Sequence, residues 1–214
     1  NITYEGIRVP STSSLYFTGK GDLSVSCFHN NGVCIGGNHQ QSFGKIDFGG
    51  DGNIYVFASG EAVVGIGGGC GKQDSEIKIN SGFVTVKVRG IKIIGIGCMT
   101  GIFRGTASLG KINITADGQH VIGIGTINGT VDFTGSTDIK ISCSGDKCCA
   151  VGTIKKSNGQ MRFNDGSAEI TVNAKSAIGI GSYDSDTDVI IKNGCIAVTV
   201  CGDEALGIGS AKAG

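Results

Sequence analysis

The sequence predicts an all-β chain wound as a right-handed parallel β-helix of about seven coils, and three observations carry that prediction. The first is a recurring tripeptide. It stands at Gly65-Ile66-Gly67, Gly95-Ile96-Gly97, Gly123-Ile124-Gly125, Gly179-Ile180-Gly181 and Gly207-Ile208-Gly209, with degraded copies read at Cys34-Ile35-Gly36 and Gly152-Thr153. First positions at 34, 65, 95, 123, 152, 179 and 207 are separated by 31, 30, 28, 29, 27 and 28 residues, the regular self-similarity of a repeat architecture. The second observation is that each unit holds three short apolar runs of period two, rich in β-branched residues, which reads as strand and not helix. The third is composition. Gly supplies 39 of the 214 residues, with a single Pro and no Trp, and without a Gly-X-Y period these glycines serve turns and close backbone approach.

The elements follow in chain order. Residues 1–22 show the weakest alternation and are expected to form an N-terminal cap or irregular first coil, within one domain spanning 1–214. One strand of each unit is read at Leu23/Val25, Ile54/Val56, Val84/Val86/Val88, Ile112/Ile114, Ile139/Ile141, Ile170/Val172 and Ile196/Val198/Val200. The Gly-Ile-Gly strand pairs Val64 with Ile66, Ile94 with Ile96, Ile122 with Ile124, Val151 with Thr153, Ile178 with Ile180 and Leu206 with Ile208 on one face. A further strand falls about ten residues on, at Ile46/Phe48, Ile77/Ile79, Ile102 or Phe103, Val131/Phe133, Met161/Phe163 and Val189/Ile191. Corners between strands are written Asn80-Ser81-Gly82, Asn164-Asp165-Gly166 and Asn193-Gly194, residues that tolerate tight turns. Three strands of four to six residues and three corners fill one circuit of a triangular coil, stacked on the next at ~4.8 Å. A propeller blade, at about 40–50 residues and four strands, is too long for this unit; a β-roll is the alternative fold.

If the central isoleucines point inward, the flanking glycines Gly65, Gly67, Gly95, Gly97, Gly123, Gly125, Gly179 and Gly181 point outward and stack into a flat platform for an extended ligand. The competing explanation is a bend, or a covering loop.

The nine cysteines are an odd number, so at least one is unpaired within the chain. Local spacing makes Cys27 with Cys34, and Cys143 with Cys148 or Cys149, the disulfide candidates, while Cys195 and Cys201 lie too far apart along one strand to bond. Burial of most cysteines as small hydrophobes is the plainer expectation.

Lys plus Arg and Asp plus Glu are 18 each and scattered, which leaves no basic footprint for nucleic acid. No apolar run reaches the ~20 residues of a membrane span. The start at Asn1, without a charged and then apolar leader, reads as a processed or excised segment.

Catalytic residues are not identified. A glycoside hydrolase needs two carboxylates about 5–9.5 Å apart. The outward positions read as Asp47, Lys78, Asp132, Arg162 and Ile190, and as Tyr55, Thr85, Asn113, Lys140, Thr171 and Thr199, supply no adjacent acids. The loop Asp184-Ser185-Asp186-Thr187-Asp188 offers alternating oxygens, and Asp184, Asp186 and Asp188 are a candidate calcium site; no other cofactor is expected. The Thr positions raise an ice-binding alternative that Lys140, Asn113 and Tyr55 interrupt.

The run Val63-Val64-Gly65-Ile66-Gly67-Gly68-Gly69, followed by Glu76-Ile77-Lys78-Ile79-Asn80-Ser81-Gly82-Phe83-Val84-Thr85-Val86, resembles the repeats of large secreted bacterial proteins. Those are carbohydrate-binding or adhesin-like parallel β-helices, and the resemblance covers the chain from about residue 33 onward. It implies a secreted or cell-surface module that binds a polysaccharide or host-surface glycan, or serves as a spacer, and carries no catalytic residue across. The richness in cysteine departs from that pattern. The alternative is a polysaccharide lyase or glycoside hydrolase on a β-helix scaffold. At the C-terminal end, the apolar Leu206 and Ile208 on an uncapped coil are expected to meet flanking coils or a partner subunit.

Overall fold

A computed structural model describes residues 5–155, 159–183 and 187–211. Among these there is no helix; the strands are β1 (Glu5–Arg8), β2 (Ser14–Phe17), β3 (Leu23–Phe28), β4 (Val33–Gly36), β5 (Lys45–Phe48), β6 (Asn53–Gly71), β7 (Glu76–Ile79), β8 (Phe83–Ala107), β9 (Lys111–Gly135), β10 (Ile139–Thr153), β11 (Gln160–Phe163), β12 (Ser167–Tyr183), β13 (Asp188–Ile191), β14 (Cys195–Cys201) and β15 (Glu204–Ala211). Every ladder between them is parallel, and the coils stack into a β-solenoid of about seven turns. The longest strands pass through corners without losing their pairing, so each coil has three sides. A long side runs through β3, the starts of β6, β8, β9, β10 and β12, and β14; the Gly-Ile-Gly side follows; a short side runs through β2, β5, β7, the ends of β8 and β9, β11 and β13.

Within the segment expected to form a cap or an irregular first coil, β1 pairs β4 through Ile7↔Ile35, and β2 pairs β5 through Leu15↔Ile46. The observed registers correct three readings of the sequence. The fifth tripeptide is Ala150-Val151-Gly152, since Val151 pairs with Ile124 and Gly152 with Gly125; a non-glycine first position hid it. On the short side, Ile77 and Ile79 pair with Gly105 and Ala107, and Met161 pairs with Phe133, a two-residue offset from the expected alignment. On the long side, Thr171 aligns with Ser142 and Lys140 with Glu169, so Thr171 and Thr199 do not share a column with Tyr55.

A further correction concerns the core. Val64 and Ile66 do not share a face. Ile66 joins the main core, with Val84, Val86, Phe103, Ile114 and their stacked equivalents, while Val64, Ile94, Ile122, Cys149 and Ile178 line a second cluster under Met99, Ile154 and Tyr183. The ladder skips Gly65 between the pairs Val64↔Ile94 and Ile66↔Ile96, which marks a bend in the strand. The Gly-Ile-Gly strand is therefore buried on both faces, which explains its nearly continuous apolar run. At the far end Val189, Ile196, Val198, Val200 and Leu206 are only partly buried against these clusters.

Candidate functional site

The long side presents the broadest outward surface. With Val84, Val86 and Val88 turned into the core, alternation sends Thr85, Lys87 and Arg89 outward, and parallel register repeats this in every coil. Three columns result: Ser24, Tyr55, Thr85, Asn113, Lys140, Glu169, Ala197; then Ser26, Phe57, Lys87, Thr115, Ser142, Thr171, Thr199; then Phe28, Ser59, Arg89, Asp117, Ser144, Asn173, Cys201. Thr115, Ser142, Thr171 and Thr199 stand in one uninterrupted hydroxyl column. Charged neighbours on either side deny this column the uniform lattice of an ice-binding face.

Aromatic side chains gather at the N-terminal end of this face. Phe28 is 73% exposed and Tyr55 45%, and Phe28 lies 5.4 Å from the half-buried Phe57, their rings tilted by 53°. Exposed aromatics in contact, on a flat polar sheet, are apolar surface that packing within the chain does not require. Beside them Ser24, Tyr55, Val56, Phe57, Thr85 and Lys87 line a shallow depression of about 250 Å³.

A second depression, of about 240 Å³, lies further along the same side, where Lys111, Asn113, Asp138, Lys140, Ser167 and Glu169 converge. Its charges are matched. Lys111 Nζ is 3.5 Å from Asp138 and Lys140 Nζ 2.9 Å from Glu169. Ser167 Oγ donates to Asp138 at 2.8 Å; that hydrogen bond first, and Lys111 after it, hold the Asp138 carboxyl below the usual carboxylate range. A general acid for glycoside cleavage needs the opposite displacement.

The eight glycines read as an outward platform are all buried. A Cβ on Gly95 would lie 2.8 Å from Ile114 Cγ2, and one on Gly123 2.7 Å from Ile141 Cγ2, so the first glycine of each tripeptide faces the core across a close approach of two sides. The second glycine has positive φ in all seven copies, between 129° and 145°, and a Cβ on Gly97 would lie 1.8 Å from the Gly125 carbonyl oxygen. These glycines build the corner and offer no surface.

Of the calcium candidates, Asp184 and Asp186 lie outside the described residues. Asp188 is exposed and accepts a hydrogen bond from Gln160 Nε2 at 3.1 Å. Among the described residues no group of three or more His, Cys, Asp or Glu side chains is placed to hold a metal.

The cysteine candidates are corrected as well. All nine cysteines are free thiols. Cys27 and Cys34 are neighbours in the core, and Cys34 Sγ donates to the Phe57 carbonyl at 3.1 Å; burial first, and Cys27 beside it, push the Cys34 thiol up to about 12. Cys143 and Cys148 are likewise buried among apolar side chains, and desolvation raises both.

Tyr55 reads as outward in the sequence, but its grouping with Phe28 and Phe57 escapes that reading, although a signal is present: all three sit in the outward phase of strands whose other phase is Leu, Val, Ile, Cys and Ala. No protein-family model, curated protein or solved structure matches this chain.

Proposed function

We propose that the chain is a non-catalytic, glycan-binding module of a secreted or cell-surface protein, and that it binds through the outer face of the long side. The observation carrying this reading is the exposed Phe28 and Tyr55 beside the half-buried Phe57, on a sheet face studded with hydroxyls. Sugar rings have apolar C–H faces and polar edges. Aromatic rings beside Ser24, Ser26 and Thr85 answer both, in the manner of apolar sites with a few placed polar groups. The rise between coils, ~4.8 Å, is also close to the length of a pyranose unit, so a glycan lying along the solenoid meets equivalent positions in successive coils. The family resemblance of the repeats agrees with this role, and an adhesin or spacer placing the module away from a cell surface is compatible with it.

The test is a glycan array followed by calorimetry. Tyr55→Ala and Phe57→Ala are each expected to weaken binding at least about fivefold, corresponding to ~1 kcal/mol of lost aromatic contact, with far-UV circular dichroism unchanged. A blank array leaves only the spacer role. Turnover of an arrayed glycan that depends on Asp138 or Glu169 would replace the reading with the enzyme alternative.

A further inference from the structure

We propose that the glycan bound at the aromatic group is acidic, a polysaccharide carrying one uronate carboxylate per repeating unit; this rests on the glycan-binding reading and names its ligand class. The observation is an asymmetry of charge along one face. In the first three coils the outward strand positions of the long side are Ser24, Ser26, Phe28, Tyr55, Phe57, Ser59, Thr85, Lys87 and Arg89, two cations and no acid. Among the next coils, Asp117, Lys140 and Glu169 appear, and Lys140 is spent on Glu169 at 2.9 Å.

Lys87 and Arg89 are exposed, and neither makes an ion pair within 4 Å among the described residues. Other cations on the solenoid are differently placed: Lys78 meets Glu76, Arg104 meets Asp132, Lys111 meets Asp138 and Lys175 meets Asp146. Glu61, at the corner that follows Ser59, is exposed and makes no ion pair within 4 Å with either cation, and two other acids of this end are occupied. Asp117, in the ladder position beside Arg89, accepts from Ser144 Oγ at 3.0 Å. Asp22, at the corner before β3, accepts from both the backbone and side-chain nitrogens of Asn53 at 2.8 Å.

Lys87 stands next to Phe57 in the same column and lines the same depression as Tyr55. A sugar stacked on Tyr55 or Phe57 therefore places a ring substituent one coil away, ~4.8 Å along the axis, at Lys87, with Arg89 two residues further on the strand. An arginine fork matches a carboxylate bidentately and a lysine supplies a point charge. Two cations beside an apolar platform suit a chain with a single carboxylate per repeating unit and exposed ring faces; a densely sulfated chain calls for a cluster of cations, which this face lacks among the described residues.

The experiment measures binding of the folded chain to three probes at low and physiological salt: polygalacturonate, the same polymer with its carboxyls reduced to hydroxymethyl groups, and heparin. Lys87→Ala, Arg89→Ala and the double variant are compared with Lys140→Ala as a control for general charge, and melting curves confirm folding. The expected result is binding to polygalacturonate that weakens with salt, falls about tenfold with each of the first two substitutions, and is unaffected by Lys140→Ala. Equal affinity for the reduced polymer, insensitive to salt and to both variants, overturns the acidic assignment and leaves the glycan-binding reading standing. Preference for heparin replaces the uronate by a sulfated ligand. Binding to none of the three, together with a blank array, removes both proposals.

Discussion

The two glycines of each tripeptide do different work, and a pair of substitutions in one coil separates them. The first column is occupied by Cys34, Gly65, Gly95, Gly123, Ala150, Gly179 and Gly207; the second by Gly36, Gly67, Gly97, Gly125, Gly152, Gly181 and Gly209. The first column thus admits a Cβ in two coils, and the second in none. A Cβ at Gly123 would meet the Ala150 carbonyl oxygen at 2.5 Å and Ile141 Cγ2 at 2.7 Å, a crowding that a small shift relieves, as it must at Ala150. Overpacking costs about 1–3 kcal/mol, and the reduced freedom of the unfolded chain returns about 0.4–1 kcal/mol, so Gly123→Ala should cost roughly 1–2 kcal/mol. At Gly125, φ is +139° and the added Cβ would lie 2.0 Å from the Gly152 carbonyl oxygen. There, backbone strain of about 1–3 kcal/mol adds to a clash with main chain that can be relieved only by parting two coils. The expected cost is at least ~3 kcal/mol. Urea unfolding followed by far-UV circular dichroism gives the difference, with amide exchange reporting whether the loss is confined to neighbouring coils. Equal costs, or a neutral Gly125→Ala, would refute the distinction between a packing glycine and a conformational one.

Three further outcomes follow from the same geometry. Cys195 and Cys201 are exposed and Cys70 is partly so, while Cys27, Cys34, Cys98, Cys143, Cys148 and Cys149 are buried, so a thiol reagent should label two cysteines rapidly and Cys70 more slowly in the native chain, and all nine in urea; fast labelling of Cys34 or Cys148 would contradict the packing. Burial raises the folded pKa of Cys34, Cys98 and Cys148 to about 12, whereas unfolded thiols ionise near ~8.5. The unfolded chain then holds fewer protons, so stability should be intact at pH 7 and fall between about pH 9 and 12; a urea midpoint constant across pH 8–10.5 would exclude it. Among the described residues β14 and β15 pair only with β12, and Ile208 is 42% exposed; sedimentation of this chain should detect association through these strands as concentration rises, and a monomer at every concentration with protected amides in β14 and β15 would refute it.

The fold was legible because stacking imposes one alternation on every coil, so Ile114, Ile141 and Ile170 announce the same inward column. Register was less legible. Ala150 replaced the glycine that marks its column, and the small Gly105 and Ala107 stand where the preceding coil has Ile77 and Ile79. Two-residue errors of this kind keep a strand's inward phase and move its outward residues to the wrong neighbour, which is how Thr171 came to be aligned with Lys140. The second apolar cluster was hidden for another reason: Met99, Ile154 and Tyr183 cover Val64, Ile94 and their equivalents from segments with no alternation of their own. Nothing in the periodicity of the Gly-Ile-Gly strand reveals that both its faces are inside.

That two-sided burial decides where a ligand can go. The Gly-Ile-Gly side has no free face among the described residues of the central coils, since Ile66, Ile96 and Ile124 pack into the main core and Val64, Ile94 and Ile122 into the second cluster. The short side is narrow, with strands such as Lys45–Phe48 and Glu76–Ile79 offering few outward positions each. Its outward residues are tied to their neighbours: Asn80 Nδ2 donates to Asp47 at 2.9 Å, and Lys78 meets Glu76 at 3.2 Å. Among the described residues, only the long side joins three outward residues per coil over seven stacked strands, a surface about 29 Å long at ~4.8 Å per step. Its inward residues are fixed by the column above and below, while its outward residues are free to differ from coil to coil. In the first three coils they include Phe28, Tyr55, Phe57, Lys87 and Arg89, where later coils carry hydroxyls, amides and charges of both signs. On a scaffold that otherwise repeats itself, a break in repetition confined to exposed positions is not required by folding, so that patch, and not the tripeptide that defines the chain, is where recognition is to be sought.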